Sequence, residues 1–135
     1  MAEWEKEIGA ITLFVEDLER SRTFYLEVFG LPAQDLDADS VMFRFKNTAV
    51  FLTKASAAHE LIGPALVGSP DAGPRFQLAI IVDDVDAVCA ELDKKGVALL
   101  NGPVNRPWGM RTAAFADPGG HIWEIAQELP SAAGS

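Results

Sequence analysis

Two stretches of the chain repeat the same order of apolar and polar residues. Residues 11–15 read ITLFV and precede two acidic residues and Leu18, while residues 78–82 read LAIIV and precede two acidic residues and Val85. Internal similarity of this kind is typical of a chain that contains two copies of one structural unit. Each apolar run has the length and the composition of a buried strand.

A helical pattern follows each apolar run. Asp17 and Asp84 suit the N-cap position of the two predicted helices, and Gly30 and Gly96 suit the position just after their last turns. The spacing of i, i+3, i+4 and i+7 predicts one buried face for each helix. These faces comprise Leu18, Ser21, Tyr25, Val28 and Phe29 in the first copy, and Val85, Val88, Cys89 and Leu92 in the second.

Three short strands are predicted after each helix, separated by turn-forming residues. The connector between the copies, residues 55–75, is rich in Ala, Gly and Pro, and a short helix is expected around His59. The strands are expected at about 33–38, 41–46 and 49–54 in the first copy, and at about 97–104, 111–116 and 121–127 in the second. Repeat one then spans about 8–54 and repeat two about 76–127.

The predicted fold is α+β, with two tandem β-α-β-β-β repeats in a single domain of 135 residues. One repeat cannot cover both faces of its sheet, so we expect the two sheets to curve around a shared cleft with the helices outside. Strand alternation places every second residue on the cleft side. The cleft-facing residues are then Ala10, Thr12, Phe14, Phe51 and Thr53 in the first copy, and Gln77, Ala79, Ile81, Glu124 and Ala126 in the second.

Composition narrows the classes of partner. The net charge of −9 disfavours nucleic acid, and no apolar run reaches the roughly 18 residues of a membrane span. A single cysteine, Cys89, rules out an intramolecular disulfide and fits a cytoplasmic location. We therefore expect a small-molecule ligand, with neither nucleic acid nor membrane as a partner.

The chain resembles the vicinal oxygen chelate superfamily, which includes glyoxalase I, bleomycin-resistance proteins, fosfomycin-resistance enzymes and extradiol dioxygenases. The resemblance covers nearly the whole chain and is specific for the fold rather than for one reaction. It rests on residues 15–21 (VEDLERS), Phe24-Tyr25, residues 29–31 (FGL) and residues 115–125 (FADPGGHIWEI).

The resemblance also implies where a metal ion would bind. Metalloenzymes of this superfamily place their ligands at four equivalent strand positions, which correspond here to Ala10, Phe51, Gln77 and Glu124. Only Gln77 and Glu124 carry donor atoms, and two ligands hold a divalent ion weakly. We therefore expect no metal site and no cofactor, which disfavours an enzymatic role.

The segment from Arg106 to Arg111 resembles the corresponding stretch of bleomycin-binding resistance proteins, which are metal-free dimers. The leading hypothesis is accordingly a metal-independent protein that binds an antibiotic or a metabolite of aromatic or cationic character, as a homodimer. The alternatives are a metal-dependent lyase, isomerase or dioxygenase of the glyoxalase kind, and a dimer whose cleft has lost its function. The catalytic residues are unknown.

The candidate ligand-binding residues are Glu124, Gln77, Trp108, Phe51, Phe14 and Arg111, and they also have structural interpretations. Glu124 either anchors a ligand or pairs with Arg111 or Arg106, and Gln77 either reads a ligand or holds Glu124. Trp108, Phe14 and Phe51 either form an aromatic wall or pack in the core, whereas core packing is favoured for Phe43. His121 is expected to cap a turn, His59 to be exposed, and Cys89 to pack as a small apolar residue.

Overall fold

A computed structural model describes residues 2–130 and divides them into two compact units between Gly68 and Ser69. This division lies inside the predicted connector. No helix in the described range is long and apolar enough to cross a membrane.

The first unit contains one four-stranded sheet and one long helix. Its sheet has the order β1-β4-β3-β2, in which β1 runs parallel to β4 and the remaining pairs are antiparallel. A short 3₁₀ turn, Ala55–Ala57, leads into the single-turn helix α2 that was expected near His59. The elements are β1 (Ala10–Val15), α1 (Leu18–Phe29), β2 (Gln34–Asp37), β3 (Ser40–Arg44), β4 (Ala49–Lys54) and α2 (His59–Ile62).

The second unit repeats this architecture. Its sheet has the order β5-β8-β7-β6, again with the first strand parallel to the last and the others antiparallel. The predicted α+β fold with two β-α-β-β-β repeats is therefore confirmed. The elements are β5 (Gln77–Ile81), α3 (Val85–Lys94), β6 (Leu99–Asn105), β7 (Met110–Ala116) and β8 (Ile122–Glu128).

Both long helices begin and end where the capping residues predict. The carboxylates of Asp17 and Asp84 each accept a hydrogen bond from a backbone amide three residues later, at 3.1 Å. Gly30 and Gly96 follow the last turns with φ angles of 66° and 79°, a backbone conformation that favours glycine. These caps satisfy backbone groups that the helix itself leaves without partners.

One face of each sheet packs against the helix of its own unit. In β1, Leu13 and Val15 are almost completely buried, and the ring of Tyr25 on α1 lies 5.4 Å from that of Phe43 on β3. The predicted core position of Phe43 is thus confirmed. In the second unit, the buried residues of the helix-packed side include Val85, Leu92, Phe115, Trp123 and Ile125.

The opposite side of each sheet is its open face. The register places Phe51 beside Thr12 in the first unit and Glu124 beside Ala79 in the second, so Phe51 and Glu124 hold equivalent positions. Residues in register point to the same side of a sheet. The open face carries Ala10, Thr12, Phe14, Phe51 and Thr53 in the first unit, and Gln77, Ala79, Ile81, Thr112, Ala114, Glu124 and Ala126 in the second.

The cap of α3 is open to a matched test. Replacing Asp84 with Ala removes the acceptor for the amide of Ala87 and should lower the free energy of unfolding by about 1 kcal/mol. The neighbouring Asp83 is exposed, so Asp83→Ala should change the free energy of unfolding by less than about 0.5 kcal/mol. Urea unfolding of both variants measures the difference, and equal losses would contradict the capping role.

Candidate functional site

Glu124 lies near the middle of β8 on the open face of the second unit. Its carboxylate Oε2 accepts a hydrogen bond of 3.3 Å from the Nε2 of Gln77, at the start of β5. The small side chains of Ala79 and Ala114 flank it on the adjacent strands. Gln77 therefore holds Glu124, which was one of the two roles considered for it. The carboxylate remains accessible from the open face.

Arg111 does not lie on the same side of the sheet as Glu124. Glu124 is in register with Ala114, and Arg111 is an odd number of residues away on the same strand, so its side chain points to the helix-packed side. There its guanidinium binds both carboxylate oxygens of Asp86 on α3, at 2.9 and 3.0 Å. This pairing lowers the pKa of Asp86 and leaves Arg111 with a structural contact rather than a place beside Glu124.

Arg106 lies on the open face but does not pair with Glu124. It donates to the hydroxyl of Thr112 at 3.0 Å and to the side-chain oxygen of Asn101 at 3.4 Å. Its guanidinium also lies 5.9 Å from the ring centre of Trp108. Within residues 2–130 neither arginine forms an ion pair with Glu124, so the structural pairing considered for this carboxylate is not present.

The aromatic candidates are divided between the two units. Phe14 and Phe51 are half-buried on the open face of the first unit. They stand two register positions apart on the neighbouring strands β1 and β4. Trp108 lies in the turn between β6 and β7 of the second unit and is 68% exposed. This exposure excludes core packing for Trp108.

A pocket of about 310 Å³ lies on the open face of the first unit. Sequence reasoning missed its three carboxylates, because the hairpin of Asp37 and Asp39 reads as an ordinary turn and Glu60 as part of a connector. Their clustering depends on how the connector returns over the sheet. The lining residues are Ala10, Thr12, Asp37, Asp39, Ser40, Phe51, Thr53, Ala57, Glu60 and Leu61.

The two histidines and the cysteine have structural contacts. The backbone amide and ring of His121 contact the buried carboxylate of Asp117 at 2.9 and 3.2 Å, which stabilises the turn before β8. His59 is exposed and its ring contacts the backbone oxygen of Ser56. Cys89 is half-buried on α3, and burial raises the pKa of its thiol, which disfavours the nucleophilic thiolate.

Comparison with known proteins decides the family. Residues 7–125 match the sequence profile of the Glyoxalase/Bleomycin resistance protein/Dioxygenase superfamily. The chain belongs to this superfamily. A relative from Bacillus subtilis (strain 168), the uncharacterized protein YraH, is 34% identical over 125 residues, which cover 88% of this chain and 96% of that protein.

Two solved structures illustrate the range of the superfamily. A glyoxalase-related enzyme from Fulvimarina pelagi aligns with a TM-score of 0.77 and 28% identity over 96% of both chains. TnmS3, an antibiotic-binding protein from Streptomyces sp. CB03234, aligns with a TM-score of 0.70 and 27% identity, covering 94% of this chain and 99% of that one. The fold is thus shared by proteins described as an enzyme and as an antibiotic-binding protein.

The metal positions of the superfamily do not fit a metal ion in this chain. The first unit supplies the methyl group of Ala10 and the ring of Phe51, neither of which is a ligand. The second supplies Glu124 and Gln77, whose amide nitrogen already donates to that carboxylate. From residue 2 to residue 130, no three His, Cys, Asp or Glu side chains form a group that could hold a metal ion.

The stability of a Glu124→Gln variant tests this arrangement. Because no arginine loses its partner, the free energy of unfolding should rise or stay within about 0.5 kcal/mol of the parent value. A buried ion pair would instead cost about 3–5 kcal/mol when broken. Glu128→Gln, at the exposed end of the same strand, is the matched control in thermal and urea unfolding. A large loss confined to Glu124→Gln would show that an arginine depends on this carboxylate.

Proposed function

We propose that the protein binds a small organic molecule, an antibiotic or a metabolite, without the help of a metal ion. The observation that carries this proposal is Phe51, an aromatic ring at the register position that Glu124 holds in the other repeat. A ring offers contact area to a flat ligand and no electron pair to a metal ion.

The open face of the second unit has the surface chemistry that small ligands use. It combines the exposed apolar side chain of Ile81 with a few polar groups, and the exposed ring of Trp108 lies in the turn between β6 and β7. Glu124 has only an amide partner, and Arg106 is held by neutral acceptors and a ring. Apolar surface with a small number of convergent polar groups is the usual composition of a ligand site. Glu124 and Gln77, with Trp108, Phe14 and Phe51, are the proposed binding residues, whereas Arg111 supports the sheet from the other side.

The similarity to TnmS3 supports a binding role, since that antibiotic-binding protein shares the fold over nearly the whole chain. The second candidate is a metal-dependent lyase, isomerase or dioxygenase. It is favoured by the two donor side chains that persist at Gln77 and Glu124, and by the similarity to a glyoxalase-related enzyme. A partner chain or the substrate would then have to supply the missing ligands.

A homodimer in the cytoplasm is the proposed setting. Large apolar side chains are in contact with solvent in both units, among them Ile81 on the open face of the second unit at 65% exposure and Leu61 on α2 at 64%. Apolar patches of this kind are commonly covered by a second subunit. The strongly acidic charge supports neither nucleic acid nor an anionic membrane as the partner.

Ligand screening in the presence of EDTA tests the proposal. A panel of aromatic amines, aromatic carboxylates and cationic antibiotics should contain compounds that raise the melting temperature, since a ligand at 100 times its Kd adds about 2.7 kcal/mol of stability. For such a compound, Glu124→Gln should weaken binding about tenfold, or 1.4 kcal/mol, while Glu128→Gln binds as the parent does. Compounds that bind only after Zn²⁺, Ni²⁺, Mn²⁺ or Fe²⁺ is added would favour the enzyme instead.

A further inference from the structure

We propose that the pocket on the open face of the first unit is a subsite for an organic cation, namely an ammonium or guanidinium group attached to a small apolar body. This inference rests on the proposed binding function. It assigns the cationic group of the ligand to residues outside the four metal positions of the superfamily, although two of those positions, Ala10 and Phe51, also line the pocket. The volume of about 310 Å³ suits a compact ligand or one portion of a larger ligand.

Three segments of the first unit form the walls of this pocket. The central strands β1 and β4 supply Thr12, Phe51 and Thr53, the β2–β3 hairpin supplies Asp37, Asp39 and Ser40, and the connector supplies Ala57, Glu60 and Leu61. The lining therefore combines apolar side chains, among them Phe51 and Leu61, with the three carboxylates. A ligand that matches both kinds of side chain is amphipathic.

The carboxylates of the pocket carry negative charge that their neighbours do not fully neutralise. Asp37 accepts only from neutral donors, the amide of Asp39 at 2.8 Å and the hydroxyl of Ser40 at 3.0 Å. Asp39 lies 3.7 Å from the ammonium group of Lys54. Glu60 has neither a hydrogen bond nor an ion pair in the described part of the chain. Two carboxylates thus face one pocket without a cation, so a positively charged ligand group is favoured there.

Thr53 adds a polar group to the pocket besides the carboxylates. Its side chain lines the pocket, the residue is 7% exposed, and its hydroxyl takes part in none of the hydrogen bonds between described residues. No fully buried polar side-chain atom in the described part of the chain lacks a partner, so this hydroxyl is accessible to solvent. A ligand N–H group that takes the place of water can donate a hydrogen bond to it.

The arrangement favours an organic cation over a metal ion. A divalent ion requires several oxygen ligands that converge at 2.3–2.6 Å for Ca²⁺ or closer for Mg²⁺. Asp37, Asp39 and Glu60 do not qualify, since residues 2–130 contain no group of three acidic or other ligating side chains placed to hold a metal ion. Carboxylates that do not converge on one point, in a pocket that also contains an aromatic ring, suit a larger cation with an apolar portion.

Titration with benzylamine tests this subsite directly. Benzylamine is compared with benzyl alcohol and benzoate, which keep the ring and replace the ammonium group by a neutral or an anionic one. Binding is followed by isothermal titration calorimetry and by amide chemical shifts, with EDTA present. The parent protein should bind benzylamine saturably, more tightly than benzyl alcohol and far more tightly than benzoate, and the shifts should concentrate around Thr53 and Glu60.

Three variants assign the interaction to the pocket. Glu60→Gln and Asp37→Asn each remove one charge and keep the size of the side chain, and each should weaken benzylamine binding by about threefold or more. Thr53→Val removes the hydroxyl at nearly constant volume. It should weaken benzylamine binding while the melting temperature of the ligand-free protein stays nearly unchanged, because the substitution breaks no hydrogen bond within the protein. Glu91→Gln, an exposed charge change on α3, is the control and should bind as the parent does.

Several results would overturn the subsite. They are an absence of saturable benzylamine binding, equal affinity for benzyl alcohol, or unchanged affinity in both Glu60→Gln and Asp37→Asn. If Glu124→Gln weakens benzylamine binding and the pocket variants do not, the cation binds on the second unit, and the subsite falls while the proposed function stands. If benzylamine binding requires added metal, the metal-independent function itself falls.

Discussion

The packing of one helix against one side of one four-stranded sheet is the constraint on which each unit depends. Strand alternation sends Leu13 and Leu52 toward α1, where Tyr25 completes the buried layer. The same alternation sends every other residue to the opposite side, which neither long helix covers and which in the first unit only the connector with α2 approaches. The open faces thus follow from the way the core is packed. Because their residues are not required for packing against a long helix, they can be used to bind a ligand.

The repeat makes the difference between the two open faces interpretable. Since Phe51 and Glu124 occupy the same register position, the backbone at this position accepts either a ring or a carboxylate. The charge at Glu124 is therefore not dictated by the fold, and its amide partner Gln77 does not neutralise it. On the first unit the negative charge lies elsewhere, on the hairpin and the connector, around a pocket whose wall includes Phe51. Both units thus combine apolar surface with carboxylates that lack an internal cation, apart from the pairing of Asp39 with Lys54.

The fold could be predicted from sequence because its signals are local and occur twice. Each of these signals depends on only a few neighbouring residues. They include the caps at Asp17 and Asp84, the glycines after both helices and the alternation of buried residues in β1. The side-chain partners at the site were harder to predict, because they depend on register and on loops. One residue of register decides that Arg111 binds Asp86 on α3 rather than lying beside Glu124. Likewise, the pocket depends on how residues after β4 return to the sheet, which no periodicity indicates. The cleft between the repeats, the dimer and the ligand stay predictions.

We propose that this chain uses the metal-binding positions of its superfamily as part of a surface that binds organic molecules directly. Elemental analysis of the protein, purified without chelators and then exposed to Zn²⁺, Ni²⁺, Mn²⁺ and Fe²⁺ before desalting, tests this proposal most directly. We expect well under one metal ion per chain, because Ala10 and Phe51 provide no ligand and two donors hold a divalent ion weakly. One tightly retained metal ion per chain, lost when Glu124 is replaced by Gln, would contradict it.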